Sequence, residues 1–472
     1  MNVHLALLIV YSAALIALGL WIGRRVRRAT DFFVAGRQLG PGLLFSTMLA
    51  ANIGAGSTVG ATALGYRDGL AGWWWVGSAA LGSLVLAFWI GPAIRRISEA
   101  HDLRTVGDFL EMRYGRSVRA IIAIFLWFGS LAILGGQLIA IASILNVAAG
   151  LPRAIGCGVG GALITIYFTA GGLMTSAWVN MVQLIVKFAG FLIALPLAVS
   201  GVGGWSALIA YAPPSETYWN FWQSGSSGIV YVALLAPSFI VSPGLLQKIY
   251  GARDDRAVRL GVGANAVGLF LYAIIPVLLG MLARMRFPTL ESPDMALPAI
   301  LTGGVPLLVG SIGLAAVFSA ELSAADAVLF MLTTSLSQDL YRRFVNPAAD
   351  EHHLLRITRV TAVIAGALGT VVAIVSRSVI DVLSIFYTLL GVSLFVPVLA
   401  GLYVPHVGTT EALAAIGTGV GGMLTMYLAT AGRGAGVLTP ALFGLIAAIC
   451  GCAAVMLART ALANRTRSVD VP

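Results

Sequence analysis

Gly54-Ala55-Gly56-Ser57-Thr58-Val59-Gly60 and Ala236-Pro237-Ser238-Phe239-Ile240-Val241-Ser242-Pro243-Gly244 are the two stretches that decide the reading of this chain. Each lies inside a long apolar block, and each collects residues that weaken a helix. Three glycines and two hydroxyls interrupt the first; two prolines interrupt the second. At bilayer depth an opened backbone is tolerated only where protein or a water-filled cavity satisfies it. Two such breaks therefore predict a site near the membrane midplane.

The blocks around them are membrane spans. Of 472 residues, 59% are apolar, 10% are charged and 56 are glycine, and the mean hydropathy is +0.93. A soluble domain carries about 25% charge, so a cytosolic enzyme, a disordered chain and a nucleic-acid module are excluded, and no nucleic-acid partner is expected. Apolar blocks between charged or Pro/Gly-rich punctuation predict an all-α integral membrane protein of about 13 transmembrane helices. Twenty-two of the 29 Lys and Arg residues fall after spans 1, 3, 7 and 9 and in the tail, and six on the opposite side. The formal charge of +10 is thus topological: the N-terminus is expected outside and the C-terminus in the cytoplasm. The block from Val3 to Gly23 lacks a basic leader and a small-residue cleavage site, so it reads as a retained helix rather than a signal peptide. Cys157, Cys450 and Cys452 lie in apolar blocks and read as small hydrophobes, not as a disulfide or metal framework.

The broken spans are the second (about 41 to 66) and the seventh (about 227 to 250). An offset of five places them at matching positions of two oppositely oriented sets, the layout of a 5+5 inverted repeat with discontinuous helices 2 and 7. The organisation expected is residues 1–30 as an extra helix and loop, 41–200 as the first repeat, 227–403 as the second, 409–458 as two further helices and 459–472 as a tail.

Further motifs add a resemblance. Asp31-Phe32-Phe33-Val34-Ala35-Gly36-Arg37 is similar to a DFF-x-AGR element, and Thr105 through Phe109-Leu110, Arg113 and Tyr114-Gly115 to a T-x-x-x-FL-x-x-R-[FY]-G segment. Gly171-Gly172, Trp178, Gln183, Gln247-Lys248, Ala252-Arg253-Asp254 and Asp339-Leu340-Tyr341 follow in order. On these the chain resembles the sodium:solute symporter family from about residue 5 to 460. The resemblance implies a LeuT-type core, alternating access and symport of a small organic solute, with Na⁺ as coupling ion and no other cofactor. It places the sodium site between spans 2 and 9, on the carbonyls of Ala55, Thr58 and Ala320 and the hydroxyl of Ser323. Oxygen donors on an opened helix suit a hard cation. Ala324 stands where most members have a second hydroxyl, and Asn180 where they have an aspartate, while Asp326 occupies a hydroxyl position on span 9. Asn180 and Asp326 are therefore expected to form a second ion or proton site.

Only Lys187, Glu321 and Asp326 read as charges deep inside spans. Each costs at least ~2.5 kcal/mol at the bilayer centre, so each needs a partner or a function. If Asn180 faces Asp326, facing residue numbers on antiparallel spans 6 and 9 add to about 506. Lys187 then faces the level of residue 319, and a Lys187–Glu321 ion pair is expected about two turns from the polar site. The amides of Gly56, Ser57 and Thr58 near a half-helix N-terminus favour a carboxylate or zwitterion. Thr62, the Trp73-Trp74-Trp75 cluster, Gln137 and Ser242 are candidate pocket walls. Ser242 and Gly244 stand where sugar-transporting relatives carry an amide and an aromatic gate, which argues against a sugar. Competing readings are a proton-coupled symporter using Asp326 and a passive facilitator or channel. An intramembrane enzyme is disfavoured, because no buried His or Cys pair, Gly-x-Ser-x-Gly or HExxH occurs in the spans. The expected location is the inner or plasma membrane, with solute, sodium and lipid as partners.

Overall fold

The computed structural model describes residues 37–169, 172–211, 216–224 and 226–469, with residues 6–7, 9–14 and 17 near the N-terminus. Residues 31–36 of the first motif and most of the first expected span lie outside these, as do the side chains of 171–182, Asn180 among them. Helix α1 (Pro41–Asn52) starts on a proline, whose missing N–H is one the first turn leaves unused. The chain leaves the helix at Ile53 (φ −92°, ψ 88°). A wide turn over Gly56–Gly60, closed by the Gly60 N–H donating to the Ala55 carbonyl five residues back (2.7 Å), leads into α2 (Ala61–Asp68). This is the break the glycines and hydroxyls predict.

Helices α3 (Trp73–Val85) and α4 (Gly91–Ala100) follow, then α5 (Val106–Tyr114). Thr105 and Asp108 close a reciprocal cap on α5: the Thr105 hydroxyl accepts from the Asp108 N–H (3.1 Å), and the Asp108 carboxylate accepts from the Thr105 N–H (3.0 Å). The long helices α6 (Arg116–Ala149), α7 (Arg153–Thr169) and α8 (Gly172–Gly201) come next. A loop with α9 (Trp205–Ala210) and a two-strand ribbon, β1 (Gln223–Ser224) with β2 (Ser226–Ser227), precedes the second break. There α10 (Gly228–Ile240) stops and α11 (Pro243–Tyr250) restarts on Pro243, with Ser242 at φ −55°, ψ 118°.

The remainder is α12 (Asp255–Tyr272), α13 (Ile274–Arg286), α14 (Ala296–Gly303), α15 (Leu307–Thr334), α16 (Glu351–Val375), α17 (Val379–Tyr403), α18 (Thr409–Thr430) and α19 (Pro440–Val469). Among the described residues ten helices are long and apolar enough to cross a membrane. Thirteen were expected. Span 1 is largely undescribed, the part of span 2 after its break joins span 3 in one run from Gly56 to Ala100, and the apolar part of α7 is shorter, Arg153–Ile166.

Small residues set the close helix crossings, since lipid tails offer no hydrophobic drive for helices to associate. A Cβ added at Gly280 of α13 would lie 2.1 Å from the Thr62 carbonyl oxygen, and one at Gly65 of α2 would lie 2.3 Å from that of Val277. Helices α8 and α15 pack antiparallel. Gly190 meets Ala316 there, where a Cβ would stand 2.3 Å from the alanine Cβ, and these two numbers add to the expected 506.

Candidate functional site

The two helix breaks face one cavity of about 90 Å³. Gly56 and Ser57 line it from the first break, Ser242 and Gly244 from the second, and Gln137 of α6 between them. On one side stand Trp75, Phe239, Phe386 and Tyr387; the rings of Trp75 and Tyr387 are 6.0 Å apart and those of Phe239 and Tyr387 5.6 Å. The other side holds Gln247, Lys248 and Asp326. Lys248 is within electrostatic range of Asp326, and the Gln247 side-chain N–H₂ is buried without a hydrogen-bond partner among the described residues. A second cavity of about 20 Å³, lined by Thr105, Ser130, Thr334 and Ser335, shares Gln247 and Met331 with the first.

The backbone at the first break is rearranged rather than left open. Gln137 Oε1 accepts from the Ala55 N–H (2.8 Å), and the Ser57 and Thr58 N–H groups both return to the Gly54 carbonyl (2.9 and 3.0 Å). Those two amides are therefore not presented to a ligand, contrary to expectation. The carbonyls of Ala55 and Thr58 accept N–H groups within and just after the wide turn, and the oxygens gathered at Ser323 include neither of them. The Thr58 hydroxyl donates to Glu321 Oε1 (2.6 Å).

The carbonyls that the break frees lie earlier. Gly54 N–H donates to Ser57 Oγ (3.1 Å) instead of to the Ala50 carbonyl, and Ser57 N–H donates to Gly54 instead of to Ile53. Lys187 Nζ, fully buried, donates to both released oxygens, Ala50 O (2.8 Å) and Ile53 O (3.1 Å), and to Ser323 Oγ. The Ser323 hydroxyl faces the Ala50 and Ala320 carbonyls (3.0 and 3.1 Å). The Ser323 hydroxyl and the Ala320 carbonyl thus sit in one oxygen cluster with the carbonyls of Ala50 and Ile53 rather than those of Ala55 and Thr58.

Among the described residues Lys187 and Glu321 form no direct ion pair, although each lies in the other's electrostatic range. Two residues along a helix are about 200° apart in azimuth, so Ser323 meets Lys187 while Glu321 turns to Thr58. Asp326 faces the cavity; the Asn180 side chain lies outside the described residues. Thr62 is buried away from the cavity lining. Of the tryptophan cluster only Trp75 reaches the cavity. Trp74 stacks on Trp222 at 4.3 Å and donates Nε1–H to the Phe221 carbonyl (2.9 Å). Lys248 was missed by the sequence reading, because it follows the break closely and was counted with the loop charges. Its signal was the Pro243 restart, which carries the helix, and Lys248 with it, past the break.

Charged residues fasten the basic-loop end. Arg119 pairs with Asp108 (2.9 Å) and Glu111 (2.8 Å), and Arg343 pairs with Glu111. Burial opposes ionisation of Glu111, but the hydrogen bonds from Arg343 and Arg119 outweigh it and hold its carboxyl below the ordinary range.

The model of the Sodium:solute symporter family matches residues 32–419. The Sodium/iodide cotransporter of Homo sapiens is 25% identical over 434 residues, which are 85% of this chain and 66% of that protein. The Sodium/pantothenate symporter of Escherichia coli is 26% identical over 451 residues, 90% of each chain. In fold the chain is similar to a Na⁺-coupled sialic acid symporter in a substrate-bound outward-open state, with a TM-score of 0.78, 18% identity and 97% and 98% of the two chains covered. It is also similar to Mhp1, a nucleobase-cation-symport-1 family transporter, at a TM-score of 0.61, 16% identity and coverage of 90% and 94%.

Proposed function

The chain belongs to the sodium:solute symporter family and carries its LeuT-type fold, and from that premise we propose that it is a secondary active transporter moving a small organic solute together with sodium. One observation carries this reading: a single cavity lined by both helix breaks and holding both signs of charge, Lys248 and Asp326. The solute class is a carboxylate or zwitterion. Lys248 and the unpartnered Gln247 amide are donors for its carboxylate, and Gly56, Ser57, Gln137 and Ser242 shape the space around it. Asp326, with Asn180, is the carboxylate that holds the coupling cation. The chain is a transporter rather than an enzyme, as its relatives' names state of them. Thirteen spans in a 5+5 inverted repeat, with the N-terminus outside and the C-terminus inside the cell membrane, complete the proposal.

A second reading is proton-coupled symport through Asp326. It is favoured by Lys187, whose ammonium takes the hydroxyl of Ser323, one of the expected sodium ligands, together with the Ala50 and Ile53 carbonyls. Uptake into proteoliposomes of labelled monocarboxylates and amino acids, under inward sodium gradients with choline as control, separates the readings. Accumulation above equilibrium only with a sodium gradient supports the first. Accumulation driven by a proton gradient in choline replaces it with the second, and mere equilibration makes the protein a passive facilitator. Lys248→Gln is expected to lower apparent affinity for a carboxylate by about tenfold, the size of one charge-assisted hydrogen bond.

A further inference from the structure

The oxygen cluster between α1 and α15 has every mark of a cation site except vacancy. Two main-chain carbonyls, Ala50 and Ile53, are released by the helix break, and Ser323 supplies a hydroxyl oxygen. Hard cations are held by such oxygens. The Lys187 nitrogen is directed at all three. Three acceptors need three N–H donors, which the ammonium has. The nitrogen sits at the end of a fully buried side chain, and Glu321 on the same stretch of α15 is within range to balance its charge.

We propose that the Lys187 ammonium is a tethered cation that occupies this cluster in place of a free one, so that the α1–α15 contact takes no sodium. A free cation at this contact would join α1 to α15 only when the ion is present. Lys187 makes the junction a covalent property of α8, which carries the charge in from a third helix. Where the proposed symport draws on sodium, that sodium acts elsewhere, on the Asp326 side of the cavity. This inference rests on the transporter reading for its meaning, but its test needs no solute.

The experiment measures the melting temperature of purified protein in detergent against NaCl, with choline chloride as the ionic-strength control. It compares the parent, Ser323→Ala, Lys187→Ala, Lys187→Met and the Lys187→Ala/Ser323→Ala double variant. The parent and Ser323→Ala are expected to respond to sodium alike. Lys187→Ala, which empties the cluster, is expected to gain a sodium-specific stabilisation on the order of 2–4 °C at about 200 mM, and the double variant to lose it. Lys187→Met, which fills the space without charge, should gain none. The proposal is overturned if Ser323→Ala abolishes a sodium response present in the parent, or if folded Lys187→Ala gains no response over the parent. Should neither Lys187 variant fold, the parent and Ser323→Ala comparison decides alone. A protein that accumulates no solute in liposomes would overturn the proposed function and leave this result standing.

Discussion

Thr58 and Gly54 show how much depends on single side chains around the first break. The Thr58 hydroxyl is the donor to Glu321 Oε1, and Glu321 Oε2 is buried with no hydrogen-bond partner among the described residues. Thr58→Val should therefore cost about 1–3 kcal/mol, the price of stranding a buried acceptor, read as a lower melting temperature that Thr58→Ser restores. At Gly54 a Cβ would stand 2.3 Å from the Ala324 Cβ and 2.8 Å from Gln137 Oε1. The alanine carbon cannot swing aside, so Gly54→Ala is expected to abolish uptake while the purified protein remains folded. A parental uptake rate would sink this account of the break. At this scale the sequence was informative about which residues matter and poor about whom they touch. Lys187, Glu321 and Asp326 announce themselves as charges among apolar neighbours. The long Lys187 stem reaches past the level its backbone occupies, however, and no spacing rule says that it will choose Ser323 over Glu321.

Helices and their junctions were legible where backbone chemistry dictates them. Glycines and hydroxyls at 54–60 gave the first break and Pro243 the second, since a proline N has no hydrogen to continue the ladder; Pro237, also expected to interrupt the helix, stays inside α10. The particular carbonyls freed by the first break were not legible, because the wide turn at Gly56–Gly60 reuses Ala55 and Thr58, and its winding depends on what packs around it. The α2–α13 crossing yields a prediction of its own: Gly280→Val puts a side chain onto the Thr62 carbonyl and should cost about 3 kcal/mol or more, seen as loss of monodisperse protein. Outside the spans, Asp294 accepts from the Val379 N–H at the start of α17 (3.1 Å). Burial pushes its carboxyl up to about 6, against that hydrogen bond, which lowers it. The folded protein therefore holds the proton more tightly than the unfolded chain. The stability this gives is full below about pH 4 and is lost as pH rises through about 6, a change of roughly 2–3 kcal/mol. Asp294→Asn should flatten the melting temperature between those pH values; an unchanged slope would show that another group sets it.

In the whole molecule, the larger cavity and the smaller one share Gln247 and Met331, and the smaller is lined by Thr105 and Val106 of the α5 start, the helix whose Asp108 and Glu111 pair with Arg119 and Arg343. That cluster joins α5 and α6 to the segment Ser335–Val345 that continues α15, so it should restrain access to the smaller cavity. Glu111→Gln is expected to speed maleimide labelling of Ser335→Cys several-fold at fixed pH in a Cys450→Ser background. Labelling at an unchanged rate would remove the cluster from control of that access. The turn at Gly56–Gly60 holds one residue more than an ordinary helical turn would need. Deleting Val59 would let that segment wind normally and swing the half-helix before it by about 100° relative to the half after it. Such a deletion would carry Ala50 and Ile53 away from Lys187 without altering any residue they touch. The loss of one residue that itself touches neither Lys187 nor Ser323 is thus expected to undo the cluster they form.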